Sequence, residues 1–221
     1  IRVTVNAPSP SRFYWVVVLA VFLGCSSAPE KKVAMTDVVV VVDDGPTTVE
    51  PQIGHCTGAG AGSAILEESV TVVSQADLDG LAGYCEINGD LDLSGPNIVE
   101  INLPSLMRVS GALRLEGNNS LVAANFPALT TLGAQLKVEG NDKLIALSFP
   151  LLQSVDGRLD LKKNPTMEVA QAPGLRVVLG EIDVRGNQAL LAFRLPALIE
   201  VGAHVHVVAN DALSSVSLPA L

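Results

Sequence analysis

The second half of the chain repeats a pattern of apolar and polar positions with a period of 23 residues. Two apolar residues that enclose one polar residue recur at this step, as Leu113/Leu115, Leu136/Val138, Leu159/Leu161, Ile182/Val184 and Val205/Val207. Leu91/Leu93 begins the series one residue short of the step. Alternation with a period of two is typical of a half-buried strand. The pattern therefore predicts one short strand in each repeat.

Proline keeps the same step, at Pro104, Pro127, Pro150, Pro173, Pro196 and Pro219. Because proline interrupts a long helix, the residues between successive strands leave no room for one. Large apolar residues flank the prolines and can fill an interior, at Phe126, Phe149, Leu195, Leu129, Leu152, Leu175 and Leu198. We predict a mostly β fold over residues 87–221, a right-handed β-solenoid of 23-residue leucine-rich coils.

Asparagine forms a further column just after the strand, at Asn118, Asn141, Asn164, Asn187 and Asn210. Asparagine tolerates left-handed backbone at turns, and its amide can bond neighbouring backbone groups. Stacked asparagines can also bond one another. We expect these five side chains to form a structural ladder along the solenoid.

The repeat reads Gly-x-Leu-x-Leu-x-x-Asn-x-x-Leu, followed by Phe-Pro-x-Leu-x-x-Val. It resembles the receptor L-domain type of leucine-rich repeat over about residues 69–221, because the leucine falls three residues after the asparagine, as at Leu121 and Leu144. L domains include ligand-binding modules of receptor ectodomains, and similar modules occur in bacterial surface lipoproteins. The resemblance implies a solenoid on a cell surface that binds a partner.

An apolar run of 11 residues, Phe13–Leu23, precedes this region. A helix that spans a bilayer needs about 20 residues, so the run predicts a signal peptide over residues 1–24. Phe22-Leu23-Gly24-Cys25 resembles the lipobox of bacterial lipoproteins. That resemblance implies lipidation of Cys25, a membrane anchor, and a place in the cell envelope at the outer membrane or cell surface. An ordinary cleaved signal is the alternative.

Two segments separate the signal peptide from the repeats. Residues 25–63 lack a period and contain stretches typical of a flexible tether; we assign no role to the apolar run Val38–Val42 within them. Residues 64–86 predict a small cap, with a strand over Ser69–Val73 and a helix that opens with a capping box at Ser74 and runs to about Ala82. The last repeat breaks off at Leu221, so we expect the solenoid to be truncated at its C-terminus.

Composition narrows the choice of partner. The net charge of −9 and the 4% of aromatic residues argue against nucleic acid, which needs a basic surface and stacking side chains. Of the three cysteines, Cys56 and Cys85 flank the predicted cap. Export would place them in an oxidising compartment, so we predict a disulfide between them. Two free thiols are the alternative.

The polar residues of the strand pattern predict the outer surface of the sheet. The candidate ligand-contacting residues there are Arg114, Lys137, Arg158, Asp160, Lys162, Asp183 and Arg185. Opposite charges fall side by side at Lys137/Asp160, Glu139/Lys162 and Arg158/Glu181. Cross-strand pairing that keeps the protein soluble is therefore the alternative role.

A metal site is one possible role for His204 and His206, because they share one strand face and Asp183 lies one coil away. Two imidazoles and a carboxylate are able to hold a metal ion. We favour solvated strand positions with a charge-paired histidine. We predict neither a metal nor a cofactor.

The function that these features favour is non-catalytic. The sequence has no Gly-x-Ser-x-Gly, His-Glu-x-x-His or Cys-x-x-Cys motif, and we assign no catalytic residue. We expect a lipid-anchored recognition or adhesion module that presents a flat sheet to a protein or a charged polymer. The alternatives are a passive envelope or spacer protein and a β-helix enzyme acting on polysaccharides. The constant repeat length argues against the enzyme, because it provides no long loops to wall a cleft.

Overall fold

The computed structural model describes residues 64–221. The predicted signal peptide, Cys25, the tether with Val38–Val42, and Cys56 lie outside the described residues. The elements in chain order are β1 (Ala64–Leu66), β2 (Val70–Val72), α1 (Gln75–Asp79), β3 (Tyr84–Ile87), β4 (Leu91–Leu93), β5 (Glu100–Asn102), β6 (Arg108–Val109), β7 (Leu113–Glu116), β8 (Ala123–Asn125), β9 (Thr131–Leu132), β10 (Leu136–Glu139), β11 (Ala146–Ser148), β12 (Ser154–Val155), β13 (Leu159–Lys162), β14 (Val169–Gln171), β15 (Val177–Val178), β16 (Ile182–Arg185), β17 (Ala192–Arg194), β18 (Glu200–Val201), β19 (Val205–Val208) and β20 (Ser215–Ser217).

These strands form three parallel sheets that run along a β-solenoid. Sheet A has the order β1-β3-β6-β9-β12-β15-β18, sheet B the order β2-β4-β7-β10-β13-β16-β19, and sheet C the order β5-β8-β11-β14-β17-β20. Each full coil contributes one strand to every sheet, and the chain then returns to the first sheet one layer further along. The predicted mostly β solenoid is confirmed.

Register follows the sequence period. In sheet B, Leu113 pairs with Leu136, Leu136 with Leu159, and the same 23-residue step continues to the last strand. Leu91 pairs with Leu113, as the shorter first step requires. Because every coil from Leu113 onward has the same length, equivalent side chains stack into columns.

The interior is one continuous apolar column. The alternate residues of the sheet B strands point inward and are buried from β4 to β16, while Val205 and Val207 of β19 are partly buried. The rings of Phe126 and Phe149 stack with their centroids 5.0 Å apart. The stack ends at Ala172, the next residue of that column. Ala170 and Ala172 border a small cavity of about 20 Å³ whose walls include Phe149 and Phe193.

A left-handed backbone residue shapes one corner of each coil. The residue just before each ladder asparagine adopts positive φ, at Gly117, Gly140, Lys163, Gly186 and Ala209. The prediction that the asparagines themselves adopt this left-handed conformation is wrong. The turn falls one residue earlier, and the asparagine side chains make the hydrogen bonds described below.

The cap matches its prediction in kind and differs in extent. Helix α1 begins after the N-cap Ser74, whose capping box with Asp77 is complete, but it ends at Asp79 rather than near Ala82. Strand β2 covers the middle of the predicted strand and extends sheet B, while Leu78 seals the end of the core. No helix within residues 64–221 is long and apolar enough to cross a membrane.

Cys85 is buried and disulfide-bonded. Its partner precedes residue 64, because no other cysteine occurs among the described residues. The pairing with Cys56 therefore stays a prediction.

Candidate functional site

The outward surface of sheet B, here called the sheet B face, gathers the candidate ligand-contacting residues. Arg114, Lys137, Asp160, Lys162, Asp183 and Arg185 lie on strands β7, β10, β13 and β16, and Arg158 directly precedes β13. The alternate residues of these strands are buried leucines, isoleucine and valines, which fixes the polar set on the outside. All seven residues therefore share one rigid surface.

Ion pairs connect the charges at the N-terminal end of the sheet B face. Arg114 Nη1 lies 2.8 Å from Asp90 Oδ2 and 2.9 Å from Asp92 Oδ1. Lys137 Nζ lies 2.7 Å from Glu116 Oε2 and 3.3 Å from Glu139 Oε2. Each cation is thus held between two carboxylates.

A second network occupies the C-terminal end. Lys162 Nζ lies 2.9 Å from Asp160 Oδ1 and 2.8 Å from Asp183 Oδ2. Arg185 binds Asp183 through two nitrogens, with 2.7 Å between Nε and Oδ1. Arg158 pairs with Glu181. Asp160 and Asp183 are buried beneath these cations.

The expected cross-strand pairs are only partly realised. Arg158 bonds Glu181 as expected. Lys137 and Asp160 are in register, as are Glu139 and Lys162, but each lysine instead bridges a different pair of carboxylates. A side chain as long as lysine can reach carboxylates on its own and either adjacent strand, so register alone did not select its partner.

The networks shift pKa values in the directions that hold the charges. Hydrogen bonds from Arg185 and then Lys162 outweigh burial and lower the pKa of Asp183 from 3.8 to about 2. For Lys162, burial opposes the charge, but the bonds to Asp183 and Asp160 prevail and raise its pKa. Hydrogen bonding to Glu116 likewise raises the pKa of Lys137. The shifts of Asp183, Lys162 and Lys137 therefore all favour the charged form of the side chain.

Three carboxylates at this end come close enough to suggest a metal site. Oxygens of Asp160, Glu181 and Asp183 lie within 4.8 Å of one another. Asp160 Oδ1 accepts no hydrogen bond of regular geometry among the described residues, yet the Lys162 ammonium 2.9 Å away is its counter-ion. With cations of Arg158 and Arg185 also in place, the cluster is neutralised by the chain itself.

The two histidines do not join that cluster. His206 pairs in register with Asp183, as predicted, and its ring lies edge-on to His204 with centroids 5.7 Å apart. Both imidazoles are exposed, that of His206 on the last strand of the sheet and that of His204 directly before this strand. They extend the sheet B face beyond the carboxylate cluster.

The asparagine ladder is a separate structural feature on the inside of the turn. Asn118, Asn141, Asn164 and Asn187 are completely buried. In each step the side-chain amide of one asparagine donates to a carbonyl of an earlier coil and to the oxygen of the next asparagine. Asn164 Nδ2, for example, donates to Val138 O (3.0 Å) and to Asn187 Oδ1 (3.2 Å). Asn187 Oδ1 also accepts from the backbone N–H of Asn164. The ladder ends at Asn210, which accepts from Asn187. This geometry is the one that the sequence column predicted.

Sheet C presents a different outer surface, which the sequence had not distinguished. Its outward positions are mostly small or neutral, including Ala123, Ala146, Ala192, Asn125 and Ser148. The strands are only three residues long, too short to give a clear alternation in the sequence. Among the described residues, charged networks are thus concentrated on sheet B.

Comparisons with known protein families, with curated proteins and with solved structures gave no match. The chain's chemistry must therefore be inferred from its own surfaces.

Proposed function

We propose that this chain is a non-catalytic recognition or adhesion module that binds a protein or a charged polymer on the sheet B face. The observation that supports this most is the fixed array of paired charges on the five adjacent strands β4, β7, β10, β13 and β16. Charges held this way can meet a complementary surface without ordering flexible loops first. The resemblance to receptor L domains, themselves recognition modules, agrees with this role.

The proposal includes attachment to the cell envelope. The lipobox-like sequence supports lipidation at Cys25, which would hold the solenoid at the outer membrane or cell surface through residues 25–63. A disulfide between Cys56 and Cys85 would fasten the end of that tether to the cap. Nucleic acid is not among the proposed partners, because the chain is acidic.

A passive spacer is the second candidate, and one observation favours it. Every cation of the sheet B strands is already paired with a carboxylate of the same chain. Under this alternative, the ion pairs keep the protein soluble and hold neighbouring strands in register, and they have no further role. Under this alternative the chain has no partner on the sheet B face.

The test uses neutral substitutions, because reversing the charge of a bridging lysine would crowd carboxylates together. Arg158→Gln with Lys163→Gln removes two exposed cations of the C-terminal end. Lys143→Gln with Arg176→Gln is the matched control outside sheet B. Retention on an immobilised envelope extract should be measured against ionic strength. We expect weaker, less salt-dependent binding only for the first variant; equal binding of both, or none by the wild type, would favour the spacer.

A further inference from the structure

The two ends of the sheet B face differ in which charged side chains are more exposed to solvent. At the N-terminal end the carboxylates are the more exposed partners: Asp90, Asp92 and Glu116 expose 36–39% of their side chains, whereas Arg114 exposes 28%. Four carboxylates, those of Asp90, Asp92, Glu116 and Glu139, pair there with only two cations, Arg114 and Lys137. This end presents negative charge.

At the C-terminal end the order is reversed. Arg158 and Arg185 expose 48% and 51% of their side chains, while Asp160 exposes 8% and Asp183 none. The carboxylates lie below and the guanidinium groups above. This end presents positive charge, about 19 Å from the other end if each of the four strand steps from β4 to β16 is about 4.8 Å.

A surface with one acidic and one basic end is complementary to its own reversed copy. Consider a second copy turned by 180° about an axis that runs parallel to the strands, between β10 and β13. The two sheets then face each other with β4 opposite β19, β7 opposite β16, and β10 opposite β13. This is the isologous contact of a two-fold dimer.

In that register, wherever both of two facing residues carry a formal charge, the two charges have opposite sign. The strand pairings give the opposed residues as Glu116 with Arg185, Glu139 with Lys162, Arg114 with Asp183, and Lys137 with Asp160, each occurring twice. The remaining carboxylates of the acidic end, Asp90 and Asp92, face the imidazoles of His204 and His206. The exposed members, above all Glu116 and Arg185, carry the attraction, since the buried aspartates are already covered.

We propose that the sheet B face binds a second copy of this chain, face to face and with the two solenoid axes antiparallel. This names the partner of the recognition role proposed above and rests on it. Antiparallel axes place residue 64 of the two copies at opposite ends of the pair. That geometry suits two chains held on facing surfaces, and so self-recognition between cells.

The proposed contact buries a small area, so a single contact is weak. Four-residue strands and six facing layers cover roughly 13 by 29 Å, or about 400 Å² per copy. Stable complexes bury about 800 Å² per partner, so a single contact belongs to the weak, reversible class. Several anchored copies would act together through their high local concentration.

The decisive experiment exchanges one opposed pair. Glu116→Lys and Arg185→Glu each place like charges opposite one another, at two sites per dimer. Within the monomer each introduced side chain has a neighbour in register to bond, Glu139 for the first and Lys162 for the second. Each variant also loses an ion pair within the monomer, Glu116 with Lys137 and Arg185 with Asp183, so circular dichroism first establishes that it is folded. The neutral variants Glu116→Gln and Arg185→Gln are measured beside them and should weaken dimerisation less than the charge reversals do.

Sedimentation velocity at low ionic strength then measures self-association of the protein exported by cells that express the full chain. We expect each single variant to dimerise at least about tenfold more weakly than the wild type. The double variant, and an equimolar mixture of the two single variants, should both recover wild-type affinity, because opposite charges face each other again. Lys143→Glu with Glu168→Lys, which lies outside sheet B, should behave as the wild type does.

The contrary results are equally clear. A wild-type protein that stays monomeric at about millimolar concentration, or a double variant as weak as the singles, overturns the self-association. If such a monomer still binds the envelope extract in a manner that depends on Arg158 and Lys163, the proposed recognition function stands with a different partner. If it binds nothing there, both proposals fail.

Discussion

At the scale of single residues, the asparagine ladder makes the sharpest claim about stability. Asn164→Ala removes the acceptor for the Asn141 backbone N–H (3.1 Å) and the donor to Val138 O. Each buried group left without a partner costs about 1–3 kcal/mol, so we expect roughly 2–6 kcal/mol less stability. Thermal or urea unfolding measures it, with the exposed Lys143→Ala as control. Equal stability of the two variants would refute the structural role of the ladder.

Asp183 predicts a dependence of stability on pH. Its pKa is lowered in the folded state from 3.8 to about 2, so the ionised form stabilises the fold above pH 3.8, and this contribution is lost as the pH falls toward 2. The difference corresponds to about 2 kcal/mol. Asp183→Asn should therefore be destabilised relative to the wild type at pH 6, and most of that deficit should vanish near pH 2. The exposed Asp156→Asn is the control for a substitution of the same kind. If the deficit of Asp183→Asn persisted unchanged at pH 2, it would have another cause.

Much of this residue-scale chemistry could be read from the sequence, because a fixed period assigns every residue to a column. The ladder and the outward position of Lys162 follow from the column alone. The partners of Lys162 and Lys137 do not, since either lysine reaches carboxylates on several strands. The burial of Asp183 also escaped prediction, because it depends on how Arg185 folds over it.

At the scale of elements, the corner between sheets A and B allows little space. A Cβ atom on Gly133 would lie 2.1 Å from the carbonyl oxygen of Ser110 in the preceding coil. Gly133→Ala should therefore force the coils apart at a cost of about 1–3 kcal/mol. Gly83→Ala is the control, since its Cβ meets nothing within 4 Å. Matched melting temperatures would mean that the corner is looser than described.

The gap beside Ala172 predicts a stabilising change. The equivalent residues of the adjacent coils are Phe149 and Leu195, so a larger side chain fits the column. Ala172→Leu should fill the cavity and raise the free energy of unfolding by about 1 kcal/mol, measured in urea. Ala123→Leu, on the outer surface of sheet C, provides the comparison. A less stable Ala172→Leu protein would show that the cavity cannot accept the side chain.

The sheet B strands from β7 to β19 were predictable because each has four residues with clear alternation. Sheets A and C were not, since strands such as Thr131–Leu132 are too short to show a period of their own. Their existence follows from geometry: once the sheet B strands stack in register, equal coils bring the remaining backbone into parallel contact as well. Helix α1 ended early for a related reason, because the chain must turn after Asp79 to enter β3.

At the scale of the whole molecule, the regular coils give a rigid surface on which charge is unevenly exposed. Each coil contacts mainly its neighbours, so local stability and the surface pattern can vary independently along the solenoid. The sequence identified which residues lie on the sheet B face. It did not reveal the acidic and basic ends, because that difference lies in which charged side chains are exposed, and the sequence does not show their exposure.

The most direct test of a recognition role is site-specific photo-crosslinking on intact cells. A photoreactive residue at Gln135, a neutral position on the sheet B face, disturbs none of the ion pairs described above. The same residue at Ser148 on sheet C and at Ser154 on sheet A reports the other surfaces. We predict an adduct from position 135 alone, with the mass of a second copy of the chain. No adduct from position 135, or equal adducts from all three positions, would contradict recognition through sheet B.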